Sequence, residues 1–374
     1  MCDFSPSYCM RPFSIKEIPS FKSRLLESDE KERGERMAKV GVLLANTGSP
    51  DAPTPEAVSA YLSEFLTDEH IMPMNPHVWK FILHAFILPT RSKKSAAKYA
   101  LIWTDKGSPL TVTMGSLARK LEEELLSRGF EVVVKSCASY GSPSIEDALQ
   151  TCVNEGCNKV LVVPLYPQSA YSTTCVVEDR ARATMGALQM MDASSSSSLA
   201  CSLPTLHVAP PYYTNPLYIS ALVQCVQDAG FGTQPGDKLL FAFHSVPRCD
   251  LDAGDTYDKQ AKETIRAVVD KLGLVKDDWA LGFQCRFDKR RTWLNPFVSE
   301  AITTLESKNP IGRLFVIAPN FSIDCLETFY DIEIELREQF CTHHSGEFIY
   351  IPCLNDSQAQ VALLADEVSA ALGA

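Results

Sequence analysis

Short apolar runs rich in β-branched residues recur along the chain, and segments of helical length separate most of them. Such runs are typical of strands that are buried on both faces. Strands alternating with helices indicate parallel sheets, because a parallel pair needs a long crossover connection. The predicted strands are Val40 to Ala45, Glu131 to Lys135, Lys159 to Pro164, Thr205 to Val208, Lys238 to Phe243, Ala280 to Gln284, Leu314 to Ala318 and Phe348 to Pro352.

The helices between these strands divide the chain into two halves with the same plan. A helix opens at Thr54 and Pro55, since proline is favoured at the first helical position. The other predicted helices are Ser144 to Asn154, 215–229, 257–272, 296–306 and 356–372. The pattern predicts an α/β fold of two similar domains, each a parallel sheet flanked by helices.

Length and composition place the domains. A chain of 374 residues, 45 % of them hydrophobic, is ordinary globular material that suggests two domains. The serine run Ser194–Ser198 reads as a loop near their boundary. We predict a flexible extension over residues 1–36, an N-terminal domain over 37–207 and a C-terminal domain over 208–348.

Charge and cysteine usage exclude several classes of protein. A net charge of −11 argues against nucleic acid as the main partner. The 13 cysteines are scattered without a CxxC pair, which predicts a reduced, cytoplasmic compartment. We find no run of 18 apolar residues and no secretory signal, so no spanning helix is expected.

Polar side chains follow two of the predicted strands. His244 ends the run Lys238 to Phe243. After the run ending at Ala318, Ser322 or Asp324 is placed to cap a helix. That helix carries Glu327, Asp331 and Glu335, which we call the acidic row; residues four apart lie on one helix face.

The acidic row has two interpretations. A charged row is usually a solvated surface, and a lone histidine at a strand end is usually structural. However, ligands bind beyond the carboxyl ends of strands in parallel α/β sheets, where His244 and Glu327 are expected. An imidazole near carboxylates suits a divalent metal or proton transfer.

A third region concentrates large apolar groups beside cations. Ile71 to Leu88 is rich in Met, Phe, Trp, Ile and Leu, and Arg91, Lys93 and Lys94 follow. This composition fits a core helix with a basic end. It also fits an apolar rim for an amphiphilic anionic ligand or for peripheral membrane contact through residues 71–94.

Several longer motifs resemble one known family. They read LLANTGSPDAPTPEAVSAYLSEFL, RSKKSAAKYALIWTDKGSPL, SYGSPSI, VPLYPQ, STT, FAFHSVP, QCRF and NFSIDCLETFYDIEIE. In this order, over nearly all of residues 39–374, they resemble ferrochelatases. The resemblance implies insertion of ferrous iron into protoporphyrin IX to form protohaem, the closing step of haem synthesis. It also implies two Rossmann-like domains with the active cleft between them, and a last segment, 349–374, that packs back on the first domain.

The same resemblance assigns residues to roles. His244 and Glu327 match the family's catalytic and metal-site residues, and Asp331 and Glu335 match an acidic path leading from them. The positions that match porphyrin-binding residues are Thr47, Arg91, Tyr99, Ser108, Trp293 and Phe321.

Two positions and one loop depart from common family patterns, and the loop is Phe287 to Thr292, which carries an extra residue. Cys325 stands where many members have histidine, and the DCLET form is typical of Gram-negative members. Ser139 stands where many have arginine, which puts one contact in doubt. Some members hold a [2Fe–2S] cluster, but Tyr171 occupies the position of its upstream cysteine and Cys353 is the last cysteine. We therefore expect no cluster and no cofactor beyond the substrate iron.

Other functions stay open at this point. A coproporphyrin III ferrochelatase would share these motifs. A related chelatase that inserts cobalt or nickel is generally shorter and has a pair of histidines. A tetrapyrrole or metal carrier would need the apolar pocket but neither a base nor the acidic row. We expect a monomer in the cytoplasm that contacts the inner membrane peripherally.

Overall fold

A computed structural model describes residues 39–72, 75–194, 203–286, 288 and 290–373. The predicted extension over 1–36 and the serines 195–198 lie outside these residues. The described chain contains strands β1 (Val40–Asn46), β2 (Val132–Ala138), β3 (Lys159–Pro164), β4 (Thr205–Val208), β5 (Asp237–His244), β6 (Trp279–Gln284), β7 (Arg313–Ile317) and β8 (Glu347–Ile351).

The helices fall between the strands much as the alternation predicts. They are α1 (Pro55–Thr67), α2 (Pro76–Ile82), α3 (Leu88–Ile102), α4 (Pro109–Ser127), α5 (Ile145–Asn154), α6 (Val176–Ser194), α7 (Pro216–Asp228), α8 (Arg248–Asp252), α9 (Tyr257–Leu272), α10 (Val298–Lys308), α11 (Arg337–His343) and α12 (Gln358–Leu372). Three π-helical segments join them: Leu83–Ile87, Tyr171–Cys175 and Glu327–Leu336.

The strands form two four-stranded parallel sheets with the same order. The first runs β2-β1-β3-β4 and the second β6-β5-β7-β8. The prediction of two parallel sheets flanked by helices is therefore confirmed. In each sheet the first strand along the chain lies between two neighbours. The carboxyl ends of β1 and β5 are therefore flanked on both sides by the ends of other strands. Ligands of such folds bind at these ends.

Helices cover both faces of each sheet, which explains why the strands are apolar throughout. On one face of the first sheet, α4 and α12 pack against alternate residues of β1. α5 and α6 pack on the other face. In the second sheet, α7 and α9 cover one face, and α10, α11 and part of the segment Glu327–Leu336 cover the other.

Local sequence signals explain where two helices begin. The Thr54 hydroxyl accepts a hydrogen bond from the backbone N–H of Ala57, and Pro55 is the first residue of α1. Ser144 and Asp147 form a capping box at the start of α5. The predicted starts of both helices are confirmed.

The segment after β7 differs from the prediction. The predicted cap Asp324 is buried, and its carboxylate instead accepts hydrogen bonds from the Tyr350 hydroxyl and the Asn355 amide. Ser322 bonds to the Tyr212 hydroxyl. The helical turns begin later and are π-helical over Glu327–Leu336. Such segments are rare and often occur at functional sites.

The region between α1 and α4 contains helices α2 and α3 with a π-helical turn between them. The large apolar side chains of this region are divided between the core and the surface. Trp79 is buried and its indole N–H donates to the Leu66 carbonyl, whereas Phe81 and Phe86 are each 68 % exposed. The described residues include no helix long and apolar enough to cross a bilayer.

Candidate functional site

A cleft opens where the carboxyl ends of the two sheets meet. Residues following β1, β3, β5 and β7 all contribute to its wall, which is the arrangement expected of parallel α/β folds. Its lining includes Thr47, His70, Ile71, Leu110, Tyr166, Gln168, His244, Arg291, Trp293, Asn320, Phe321 and Glu327.

His244 is the last residue of β5 and lies in register with Gln284 of β6. Its Nδ1 is 2.8 Å from the carbonyl oxygen of Ser245. Because a carbonyl only accepts, Nδ1 carries a proton and donates it. In the neutral ring Nε2 then holds a lone pair, the form that accepts a proton or binds a metal. The backbone carbonyl of Ser245 therefore fixes the tautomer of the neutral His244 ring.

Glu327 is the first residue of the π-helical segment and lines the same cleft as His244. Hydrogen bonds of buried residues hold the chain on both sides of Glu327. The Thr328 hydroxyl accepts from the Cys325 N–H at 2.9 Å, and Asp324 is held by Tyr350 and Asn355. Burial raises the pKa of the Cys325 thiol well above its usual value, and the Glu327 carboxylate raises it further. Cys325 is therefore a neutral thiol at pH 7.

The rest of the acidic row continues along the π-helical segment away from the cleft lining. Asp331 is 19 % exposed and Glu335 is 46 % exposed, and both accept contacts from Lys98 of α3. Burial raises the pKa of the Asp331 carboxyl, and the Glu327 carboxylate raises it further. Exposure thus increases from the partly buried Asp331 to Glu335.

Three of the predicted porphyrin-binding residues line the cleft: Thr47, Trp293 and Phe321. The Thr47 hydroxyl is 2.6 Å from the Tyr166 hydroxyl. The Trp293 indole N–H donates to the Asp288 carbonyl at 2.9 Å, which fixes the ring in the wall. Aromatic rings therefore form part of the cleft lining.

The other three lie outside this lining. Tyr99 is buried; burial raises the pKa of its hydroxyl well above the usual value, and Glu327 adds to the effect. Arg91 is half-buried, and burial lowers the pKa of its guanidinium. Ser108 is buried at the start of α4. Their roles toward a porphyrin stay predictions.

Four further lining residues were not assigned a role from the sequence. Tyr166 and Gln168 follow β3, so the strand-end rule that identified His244 also points to them. Arg291 pairs with Asp288 at 2.7 Å. His70 has no such signal in the sequence, because its position depends on the turn after α1.

Asn320, which follows β7, is buried in the cleft wall, and within the described chain its Oδ1 has no hydrogen-bond partner. Nor do the described residues include a group of three or more His, Cys, Asp and Glu side chains placed to hold a metal ion. A metal between His244 and Glu327 would therefore take its remaining ligands from water or from the bound substrate.

Comparison with known proteins identifies the family. The ferrochelatase family model matches residues 39–372. A ferrochelatase of Aeromonas hydrophila subsp. hydrophila is 38 % identical over 87 % of this chain and 96 % of its own. A ferrochelatase of Aromatoleum aromaticum is 39 % identical over 90 % of this chain and 88 % of its own.

The fold is also similar to a solved chelatase. SirB from Bacillus subtilis, in a structure with Fe³⁺, matches with a TM-score of 0.50 at 14 % identity, covering 71 % of this chain and 94 % of its own. The resemblance that the motifs carry is thus confirmed over the whole alternating region, and this chain belongs to the ferrochelatase family, whose enzymes supply haem by inserting ferrous iron into a porphyrin.

Proposed function

We propose that the porphyrin is protoporphyrin IX, that the product is protohaem, and that the reaction takes place in the cleft between the two sheets. The observation that carries the proposal is that His244, Glu327 and the aromatic rings of Trp293 and Phe321 line the same cleft. A porphyrin is flat and apolar, and its centre must meet both a base and a metal.

His244 and Glu327 act at the centre of the ring in this proposal. Insertion of a metal releases two pyrrole protons, so a base must face the inner nitrogens. The Nε2 lone pair of His244 is suited to that task, since the bond from Nδ1 to the Ser245 carbonyl leaves Nε2 of the neutral ring as the acceptor. Ferrous iron accepts imidazole and carboxylate ligands, so the same pair can hold the ion while water leaves it.

Apolar walls supply the second part of the mechanism. A flat macrocycle shields its inner lone pairs, and bending exposes them. Trp293, Phe321, Ile71 and Leu110 line the cleft and give the contact area for this. Binding energy from the outer ring can then be used to distort the centre.

Cations and polar groups orient the carboxylates of the porphyrin. Arg291 lies in the lining, with its guanidinium 4.9 Å from the centre of the Trp293 ring. We assign it a carboxylate contact, because a guanidinium binds carboxylates in a bidentate manner. Arg91, Tyr99 and Ser108 are assigned to the porphyrin from their motif alone. For these three side chains to contact a bound porphyrin, the cleft must open toward α3 and the start of α4.

The acidic row is assigned to transfer of iron or protons between solvent and the ring. Its support is the gradient of exposure from Asp331 to Glu335, together with the electrostatic coupling of Glu327 to Asp331. Iron as substrate enters at the exposed end in this assignment, and the deprotonated carboxylates guide it.

The organisation of the chain is also proposed. We assign the N-terminal domain to 37–207, the C-terminal domain to 208–348, and 349–374 to the first domain; the packing of α12 on α4 supports the last assignment. We further propose a monomer without a [2Fe–2S] cluster. In support, the Tyr171 hydroxyl donates to the Ala253 carbonyl at 2.9 Å, which fixes a non-ligand side chain at the upstream position.

The site of action is proposed to be the cytoplasm, next to the inner membrane. Exposed Val78, Phe81 and Phe86 lie before the cations Arg91, Lys93 and Lys94 of α3. Such residues enter the headgroup region while the cations meet anionic lipid, at about 1 kcal/mol for each cation.

One assay tests the function. Purified protein is mixed anaerobically with protoporphyrin IX, coproporphyrin III or sirohydrochlorin and with Fe²⁺, Co²⁺ or Ni²⁺, and metallation is followed by absorbance. We expect Fe²⁺ and protoporphyrin IX to give the highest kcat/KM. A preference for coproporphyrin III would overturn the substrate assignment, and binding without turnover would indicate a carrier.

A further inference from the structure

The side chain of Lys98 reaches from α3 to the acidic row. Its Nζ is 3.0 Å from Asp331 Oδ1 and 3.7 Å from Glu335 Oε2. It also lies over the ring of Tyr330, 4.3 Å from the centroid. All three contacts belong to the π-helical segment, whereas Lys98 belongs to the first half of the chain. One ammonium group therefore contacts two consecutive members of the row.

This ammonium lies against carboxylate oxygens of Asp331 and Glu335, which a divalent cation on the row would also need. The lone pairs of a carboxylate bind either an ammonium N–H or a metal ion, so the two ligands compete for the same oxygens. Asp331 is 19 % exposed, which weakens the screening of its charge by solvent and strengthens its attraction to the ammonium. Cys285 Sγ, 3.3 Å from Asp331 Oδ2, offers only a weak neutral donor.

We propose that Lys98 is a tethered counter-ion that holds the acidic row in competition with ferrous iron, and so sets the iron concentration at which the row is loaded. This rests on the proposed role of the row as a path for iron. In the resting protein the single charge of Lys98 offsets part of the negative charge of Asp331 and Glu335. An arriving cation displaces the ammonium, which swings toward solvent on its four-carbon stem.

A purely structural role makes a different prediction. If Lys98 only ties α3 to the π-helical segment, its loss lowers stability and leaves metal affinity unchanged or weaker. If it competes with the metal, its loss leaves two carboxylates without an ammonium and makes the row bind divalent ions more tightly. Metal affinity, measured directly, therefore separates the two.

The probe is Mn²⁺ alone, which binds carboxylates and whose free fraction is read by electron paramagnetic resonance. The protein contains neither porphyrin nor iron. We expect Lys98→Met to bind Mn²⁺ about tenfold more tightly than wild type, as for the loss of one nearby like charge. Asp331→Asn in the Lys98→Met protein should remove the gain. Lys106→Met, which deletes an exposed lysine, is the matched control.

A dissociation constant for Lys98→Met within about twofold of wild type would overturn the proposal. Should this variant fail to fold, Lys98→Gln carries the same expectation. In the metallation assay, the apparent KM for Fe²⁺ should fall in the same variant. If wild type metallates porphyrin but Mn²⁺ affinity does not change, the counter-ion role fails alone. If wild type does not metallate, the proposed function fails, and the Mn²⁺ titration still tests Lys98.

Discussion

The hydroxyl of Tyr257 donates a hydrogen bond to the backbone carbonyl of His244 at 2.9 Å. Tyr257 begins α9, and its ring is buried against Phe243 in the core of the second sheet. The position of His244 is thus held through its main chain by a helix that is itself fixed in the core. Its imidazole is held separately by Ser245. The residue proposed as the base is therefore held in a defined position and tautomer by the protein alone.

Replacement of His244 by alanine should reduce kcat for metallation by about 10²–10⁴-fold, the usual contribution of a general base. The fold should survive, because the side chain lies at the cleft surface. Steady-state metallation and a thermal melt measure the two effects. Tyr257→Phe is the control: it keeps the imidazole and should cost much less. More than about a tenth of wild-type turnover in His244→Ala would refute the assignment.

Replacement of Glu327 by glutamine should reduce kcat/KM for Fe²⁺ by about 10²-fold, and Glu335→Gln by less than about threefold. Glu327 lines the cleft, whereas Glu335 is 46 % exposed at the far end of the row. The comparison is made in one assay at several iron concentrations. Equal losses, or a larger loss at Glu335, would leave the row as a solvated face.

The pair of His70 and Asp68 predicts a pH dependence of stability. Their side chains are 2.9 Å apart, and the hydrogen bond to Asp68 raises the pKa of His70 above its usual value. The folded state therefore binds this proton more tightly than the unfolded chain. The resulting stabilisation is complete below about pH 6.5 and is lost as pH rises through the raised pKa.

We expect His70→Asn to lower the free energy of unfolding by about 1 kcal/mol at pH 6, and by less at pH 9. Urea unfolding of both proteins at the two pH values measures this. A difference in unfolding free energy between the two proteins that grows as pH rises would contradict a raised pKa of His70.

The exposed phenylalanines predict a salt-sensitive membrane contact. Wild type should float partly with vesicles of anionic lipid at low salt, and less at high salt, since screening weakens the attraction of the cations. Phe81→Ser with Phe86→Ser should reduce flotation without unfolding, because both rings are exposed. Trp79→Ser is unsuitable, since the buried Trp79 supports the fold. A wild type that stays wholly in solution at low salt would assign these residues to the porphyrin alone.

Gly48, beside Thr47 at the end of β1, should not tolerate a side chain. Its φ is +103°, and an added Cβ would lie 2.0 Å from the Tyr140 carbonyl oxygen. We expect Gly48→Ala to destabilise the protein by about 3 kcal/mol, from backbone strain and the clash together. Gly129→Ala is the control, because Gly129 also has a positive φ but nothing lies within 4 Å of an added Cβ. Equal losses of unfolding free energy in the two variants, measured by urea unfolding, would show that the clash does not contribute.

Hydrophobic periodicity was enough to predict the sheets and the position of His244. The strands are buried on both faces, so the apolar runs mark them directly, and the end of a run marks the sheet edge. The interpretation failed after β7, where Asp324 resembles a helix cap. Its actual partners, Tyr350 and Asn355, lie in β8 and beyond it, and local sequence carries no signal for a contact between such distant segments.

The same limit applies to Lys98 and Trp79. Lys98 lies on a helix surface that reads as an ordinary basic face, and only the approach of α3 to the π-helical segment brings it to the acidic row. Trp79 is a large aromatic residue like its exposed neighbour Phe81, so the local sequence does not distinguish the two. The hydrogen bond from its indole N–H to the Leu66 carbonyl holds Trp79 in the core. Tertiary contacts therefore determine where the side chains of Lys98 and Trp79 lie, whereas local sequence patterns are enough to predict the helices and strands.

The packing of α12 on α4 and β1 has a consequence for biosynthesis. Val361, Leu364, Ala365 and Val368 complete the apolar layer over a strand that leaves the ribosome first. Until those residues are translated, the part of this layer that α12 covers stays open, and α4 alone packs on that face. The nascent first half should therefore expose apolar surface and bind chaperones while the second half is synthesised, and it can close only after α12 has been made.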